Sequence, residues 1–140
     1  MTPVKIVIVV FMVLEIANVI ALYFAPGSKY ANAPGVFTAW EKSKQYPEIH
    51  NFVRYLVFWV AGAKLIFLLL LAVIIVFGDA NLQKMTLPAL AIATASFFWR
   101  LFPLIRQMDT SGHIEPKNYS IILGVMIFVF IAVFAVVGII

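Results

Sequence analysis

The sequence contains no cysteine. The protein therefore has no disulfide framework, no thiolate metal site and no redox-active dithiol. Several classes of enzyme are excluded on this ground alone.

Charged residues are also scarce: they make up 11% of the 140 residues, whereas 64% are hydrophobic and the mean hydropathy is +1.06. A soluble domain has about 45–50% apolar residues, so a soluble protein of this composition would have too little polar surface. The apolar stretches do not alternate with polar residues, and at about 20 residues each they match helices that cross the hydrocarbon layer. We predict an all-α, integral membrane four-helix bundle surrounded by the lipid bilayer.

Proline and glycine mark the ends of the predicted helices. The first helix ends before Pro26-Gly27-Ser28, and the second opens on Pro47 and ends before a turn at Gly78-Asp79-Ala80-Asn81. Pro88 falls in the opening turn of the third helix, and Pro103 falls near its close. No repeat or linker divides the chain. We predict one transmembrane domain over residues 1–140, with helices at about residues 4–25, 47–77, 85–105 and 118–140.

Lysine and arginine are unequally divided between the two sides of the predicted bundle. Loop one, from Ser28 to His50, and loop three, from Arg106 to Lys117, lie on the same side. That side holds Lys29, Lys42, Lys44, Arg54, Arg100, Arg106 and Lys117, whereas the other side holds Lys5 and Lys84. By the positive-inside rule, loops one and three face the cytoplasm and both termini are extracytoplasmic. We expect a multi-pass protein of the cell membrane, and we expect its net charge of +4 to reflect this orientation and not a nucleic-acid partner.

Two ionisable residues fall deep inside predicted helices, where each costs roughly 2.5–3.5 kcal/mol. Glu15 lies in the first helix, with Asn18 one turn away on the same face, and Lys64 lies in the second helix. At 1.5 Å per residue, Glu15 is about 15 Å and Lys64 about 18 Å from the cytoplasmic side. The matching depths predict an ion pair in a buried polar site. The pair either fixes helix packing or forms a substrate or proton site.

Small residues accompany both charges. Ala17, Ala21 and Ala25 form a stripe on the first helix, and Ala61-Gly62-Ala63 precedes Lys64 in the second. Such residues let two helices approach closely in a membrane.

The cytoplasmic half carries further candidate sites. Arg54 and Arg100 lie about one to two turns inside the boundary, where they either snorkel or, with Arg106 and Lys117, bind an anionic lipid head group. The tryptophan and tyrosine residues also fall in this half. They act as interfacial anchors, or Tyr55, Trp59 and Trp99 line a cytoplasmic-side pocket.

Loop one contains Val36, Phe37 and Trp40 at helical spacing. This pattern predicts a short interfacial helix from Val36 to Lys44, with Phe37 and Trp40 towards lipid.

Loop three contains residue types that bind metals in other proteins. These are Asp109, His113 and Glu115, which His50 or Glu48 of loop one could join. Such residues are ordinary in a solvated loop, and neither histidine lies within the predicted bilayer. We expect no metal site, no haem and no other cofactor.

The sequence favours a non-catalytic membrane subunit or a self-associating structural protein, which forms a homo-oligomer or part of a larger membrane complex. An enzyme or binder of lipophilic or lipid substrates, with a cytoplasmic-side pocket, is an alternative. The chain has no nucleophile and base at a recognisable spacing, so we expect no catalytic residues.

A second alternative comes from a resemblance. The plan of four helices with a lone membrane-embedded carboxylate, Glu15, in the first resembles the small multidrug resistance exporters. The resemblance implies a small proton-coupled transporter that uses Glu15. The long loop one, Lys64 and the absence of a shared motif in the other three helices depart from that family, and a lysine partner would keep Glu15 ionised.

Overall fold

A computed structural model describes residues 2–139, and its regular elements are helices. Four helical stretches in these residues are long and apolar enough to cross a membrane: Pro3–Phe24, Pro47–Phe77, Ala80–Thr110 and Tyr119–Ile139. The predicted all-helical fold with four candidate membrane spans is therefore confirmed. The helices are α1 (Pro3–Phe24), α2 (Thr38–Ser43), α3 (Pro47–Phe77), α4 (Ala80–Ala95), α5 (Phe97–Thr110) and α6 (Tyr119–Ile139).

The third span begins earlier than predicted. The Asp79 carboxylate accepts a hydrogen bond from the Leu82 N–H at 2.7 Å, so α4 starts at Ala80 and not at residue 85. The predicted turn shortens to Gly78 and Asp79, and Pro88 lies inside α4 instead of in its opening turn. The cap supplied by Asp79 outweighs the tendency of proline to open a helix.

The third span is also broken once and ends later than predicted. The break falls at Ser96, whose hydroxyl donates to the Ala93 carbonyl at 2.6 Å and competes with the helical hydrogen bonds there. The second segment, α5, contains Pro103 and continues to Thr110. Loop three is correspondingly shorter than its predicted length.

The Gln83 side chain caps the C-terminal end of α3. Its side chain is 3% exposed, and its amide nitrogen donates to the carbonyls of Gly78 at 2.9 Å and of Ile74 and Ile75 at 3.3 Å. The last carbonyls of a helix have no partner within the helix. One side chain from α4 therefore satisfies the C-terminus of α3.

The four spans form two helix pairs. α1 packs against α3, and α4 packs against α6. Towards the chain termini the pairs share one apolar cluster: Ile8, Phe11, Leu71, Leu87, Leu90 and Phe134. Lipid chains are as apolar as these residues, so close packing between side chains, more than exclusion of water, holds such a cluster together in a membrane.

At the opposite end, loop one fills the space between the two helix pairs. Ala33 is buried in a cluster with residues of α1 and α3. Val36 is buried in a different cluster, formed by residues of α5, α6 and loop three. Loop one is therefore part of the interior of the bundle.

The helix predicted in loop one is present in part. Residues Thr38–Ser43 form α2, which is shorter than the predicted Val36–Lys44. The expectation that Trp40 faces lipid is wrong, because Trp40 is 5% exposed and its ring lies 4.8 Å from the His50 ring. Helical spacing identifies an apolar face but does not identify what covers it. Here α3 covers it.

Gly35 allows loop one to close on itself. Its N–H donates to the Pro26 carbonyl at 2.9 Å. A Cβ atom at this position would lie 2.1 Å from the Gly27 carbonyl oxygen and 2.5 Å from that of Ser28. Any side chain would therefore force two backbone segments apart.

We expect Gly35→Ala to lower the free energy of unfolding by about 1–3 kcal/mol, as overpacking of a tight site does. The measurement is thermal unfolding in detergent. Gly62→Ala is the matched control, because its Cβ would meet only the Tyr23 hydroxyl at 3.5 Å and alanine favours a helix. Equal melting temperatures for Gly35→Ala and the wild type would contradict the close contact.

Candidate functional site

The buried residues of α1 and α3 lie mostly three or seven positions apart, so each helix presents one stripe to the bundle interior. On α1 the stripe includes Phe11, Asn18 and Leu22, and on α3 it includes Ala61 and Leu68. Glu15 and Lys64 occupy positions within these two stripes. Both charged side chains are therefore directed at the contact between the helices.

Glu15, Asn18 and Lys64 meet in one polar cluster. The Lys64 Nζ atom donates to Glu15 Oε2 at 2.6 Å and to Asn18 Oδ1 at 2.6 Å. The ion pair that the matching depths predict is thus formed. The Lys64 and Glu15 side chains remain 29% and 25% exposed, so one side of the pair is not covered by the chain itself.

Asn18 connects this pair to loop one. While its oxygen accepts from Lys64, its amide nitrogen donates to the Ala31 carbonyl and, at 3.4 Å, to the Asn32 carbonyl. Ala31 and Asn32 both adopt left-handed backbone conformations, with φ of 57° and 52°. Such conformations cost energy in residues other than glycine, so the contacts of Asn18 help to hold this segment.

Loop three holds loop one from the other side. The Thr38 N–H donates to the His113 carbonyl, and the Glu115 N–H donates to the Val36 carbonyl, both at 2.9 Å. The Tyr119 hydroxyl donates to Asn32 Oδ1 at 2.6 Å. The segment of loop one that contacts Asn18 is therefore held by Tyr119 of α6 as well as by α1.

An exposed ion pair adds to this contact. Lys29 Nζ lies 2.6 Å from Glu115 Oε2. The hydrogen bond from Lys29 and its positive charge lower the pKa of Glu115, and the Glu115 carboxylate in turn raises the pKa of Lys29. Exposed pairs contribute little to stability, so this one is a minor part of the contact between the two loops.

Ser43 and His50 form a contact that sequence reasoning missed. Ser43 Oγ lies 2.8 Å from His50 Nδ1, and it also donates to the Trp40 carbonyl at 2.7 Å. The hydroxyl has one proton and donates it to the carbonyl, so its contact with His50 is satisfied by the tautomer that carries a hydrogen on Nδ1. The pair therefore orients α2 on α3. Ser43 and His50 lie on different helices, α2 and α3, and the sequence does not predict the shape of the turn between them. The spacing of the two residues therefore could not identify their contact.

The four basic residues proposed for head-group binding do not form one group. Arg54 lies over the Phe58 ring at 5.5 Å, and Arg100 lies over the Trp99 ring at 5.6 Å. Contacts of this kind with a neighbour on the same helix hold each guanidinium at the surface. Arg106 and Lys117, in contrast, line a common pocket.

The aromatic residues proposed for a cytoplasmic-side pocket lie on the outer surface. Tyr55, Trp59 and Trp99 are 62%, 67% and 76% exposed. Side chains this exposed do not enclose a cavity within a single chain. Interfacial anchoring is the interpretation consistent with their exposure.

Asp109 caps α6. Its carboxylate accepts from the Asn118 N–H at 3.1 Å, from the Ser120 N–H at 2.9 Å and from the Ser120 hydroxyl at 2.5 Å. A carboxylate is favourable at the N-terminus of a helix. Arg106 completes the group, since its Nη1 donates to the Ser120 hydroxyl at 3.3 Å. Within residues 2–139, no three His, Asp or Glu side chains are grouped so as to hold a metal ion.

No known family model, curated protein or solved structure matches the chain. Its chemistry must therefore be inferred from its own residues. The central cluster pairs each polar group with another group of the chain, and the Ser43 hydroxyl is committed to a carbonyl. The hydrogen bonds of the cluster join α1, α3 and loop one to each other.

We expect Glu15→Gln and Lys64→Met to destabilise the protein by up to about 3 kcal/mol each, because each leaves one charge without its partner. The double variant should lose less stability than either single variant, since it leaves no unpaired charge. Thermal unfolding of the four proteins in detergent measures the coupling.

The exposed pair Glu41–Lys44, at 2.8 Å, is the matched control. Its double-mutant cycle should give a coupling of no more than about 0.5 kcal/mol. Strict additivity at Glu15 and Lys64 would show that their contact contributes nothing to stability.

Proposed function

We propose that the protein is a non-catalytic membrane subunit, and that a second protein chain, either another copy or a different subunit, covers the face that carries Glu15 and Lys64. The observation that carries this proposal is the incomplete burial of the pair. Two charged side chains lie in otherwise apolar spans, and each remains about a quarter exposed.

An ionisable residue near the centre of a membrane helix costs roughly 2.5–3.5 kcal/mol even on the lenient insertion scale. The contact between Glu15 and Lys64 offsets part of this cost, but hydrocarbon cannot solvate the side that stays open. Protein groups from another chain can cover it, and in membrane proteins charged residues face the interior of an assembly or a water-filled cavity.

Small residues of α1 and α3 leave surface that a helix of another chain could approach closely. Ala17 and Ala25 are exposed and Ala21 is half-buried, so most of the small-residue stripe on α1 is not covered by the rest of the chain. Ala63, beside Lys64, is exposed as well. Small residues permit the close approach that drives helix association in membranes.

A proton-coupled transporter is less well supported. It requires Glu15 to take up and release a proton, yet the ammonium of Lys64 already compensates its charge at 2.6 Å. An enzyme of lipid substrates is less well supported still, because the Ser43 hydroxyl donates its proton to the Trp40 carbonyl and not to His50. We therefore favour a role in assembly over either chemistry.

We further propose that loops one and three face the cytoplasm, that both termini are extracytoplasmic and that the cell membrane is the location of the protein. The support is the distribution of lysine and arginine. Loops one and three pack together, so the positive charges of both belong to one face.

The first prediction from this proposal concerns association. The chain has no cysteine, so Ala63→Cys can carry a thiol-directed photo-crosslinker in native membranes. We expect a covalent adduct with a protein, whose mass identifies a second copy or another subunit. Val129→Cys, on the exposed surface of α6, is the control and should give much less adduct. Adducts with lipid alone at residue 63, together with single-chain mass in lipid nanodiscs, would refute the proposal.

The second concerns orientation. Single cysteines at Lys42 and Asn81, both exposed, are treated with a membrane-impermeant thiol reagent on intact cells. We expect labelling at position 81 and none at position 42 until the cells are opened. Labelling of position 42 on intact cells would reverse the proposed topology.

A further inference from the structure

A pocket of about 430 Å³ lies between the end of α5 and the start of α6. Arg106 lines it from the last turns of α5, and Lys117 and Asn118 line it from the segment that precedes α6. Two candidate membrane spans begin or end here. The pocket is therefore at the level where a bilayer places its head groups.

The positive charges of this pocket are not consumed by ion pairs. In the part of the chain that the structure describes, residues 2–139, the ion pairs join Lys29, Lys44 and Lys64 to glutamates. Neither Arg106 nor Lys117 takes part. Arg106 gives one hydrogen bond to Ser120 and has further N–H groups for a ligand.

Asp109 also lines the pocket and brings a negative charge. Both of its oxygens already accept hydrogen bonds from Asn118 or Ser120 at the start of α6. The carboxylate is 8% exposed in this position, so little of it is presented to a ligand. Two cations and one largely covered carboxylate leave the pocket positive.

We propose that this pocket binds the phosphate group of an anionic phospholipid. An arginine fork matches two phosphate oxygens, and a lysine adds a point charge on the other side. Basic pockets at the ends of membrane helices hold anionic head groups by this chemistry. The volume is within the range of small-molecule sites, which begins at about 300 Å³. This proposal does not rest on the proposed role as a subunit.

Arg54 and Arg100 provide matched controls. They belong to the same side of the protein and are exposed, but each rests over an aromatic ring outside the pocket. Replacing them removes the same number of positive charges. A general attraction between the protein and an anionic bilayer would therefore weaken equally in the two pairs of variants.

The experiment measures how the purified full chain retains phosphatidylglycerol in neutral phosphatidylcholine nanodiscs, read out by native mass spectrometry. We expect Arg106→Gln with Lys117→Gln to weaken retention at least about tenfold, because both charge-assisted contacts with the phosphate are lost. Lys117→Gln alone, at an exposed position, should weaken it severalfold without any effect on folding. Arg54→Gln with Arg100→Gln should change retention less than about twofold.

Three outcomes would overturn the proposal. Equal losses in the Arg54/Arg100 and Arg106/Lys117 variants would assign the effect to the general field of the protein. Displacement of the lipid by millimolar inorganic phosphate would show that a free phosphate is the occupant. Unchanged retention in Lys117→Gln and in the double variant would exclude the pocket altogether.

Discussion

The ammonium group of Lys64 has two partners, and the arrangement of the cytoplasmic-side half of the proposed topology depends on both. Through Glu15 it joins α1 to α3, and through Asn18 it reaches the backbone of loop one. A charge in this environment cannot be left without compensation. The need to compensate the charge of Lys64 therefore fixes the relative positions of α1, α3 and loop one.

Loop one extends this constraint to the rest of the fold. Non-helical backbone is tolerated at membrane depth only where protein or water satisfies its polar groups. Here the Asn18 amide satisfies two carbonyls, loop three pairs with the following residues, and Gly35 lets the loop fold back tightly on Gly27. The two helix pairs can remain apart at this end because the loop occupies the space between them.

The sequence predicted the features that follow from length, hydropathy and depth. These include the four spans, the first two within one residue at each end, and the contact of Glu15 with Lys64. Features set by individual side-chain hydrogen bonds were missed. The cap from Asp79, the contact of Ser43 with His50 and the burial of Trp40 depend on which segments meet in space, and no local pattern of residues encodes that. The basic pocket was predicted in part, because residue type identified Arg106 and Lys117 but could not separate them from Arg54 and Arg100.

The contacts between loops one and three also impose an order on biogenesis. Lys29 and its partner Glu115 are 86 residues apart, and Asn32 and its partner Tyr119 are 87 apart. During synthesis α1 and α3 are complete, and can enter the membrane and pair, long before either partner has left the ribosome. Loop one consequently stays without these ties through most of translation. The contacts with Glu115 and Tyr119 can form only when the start of α6 has left the ribosome.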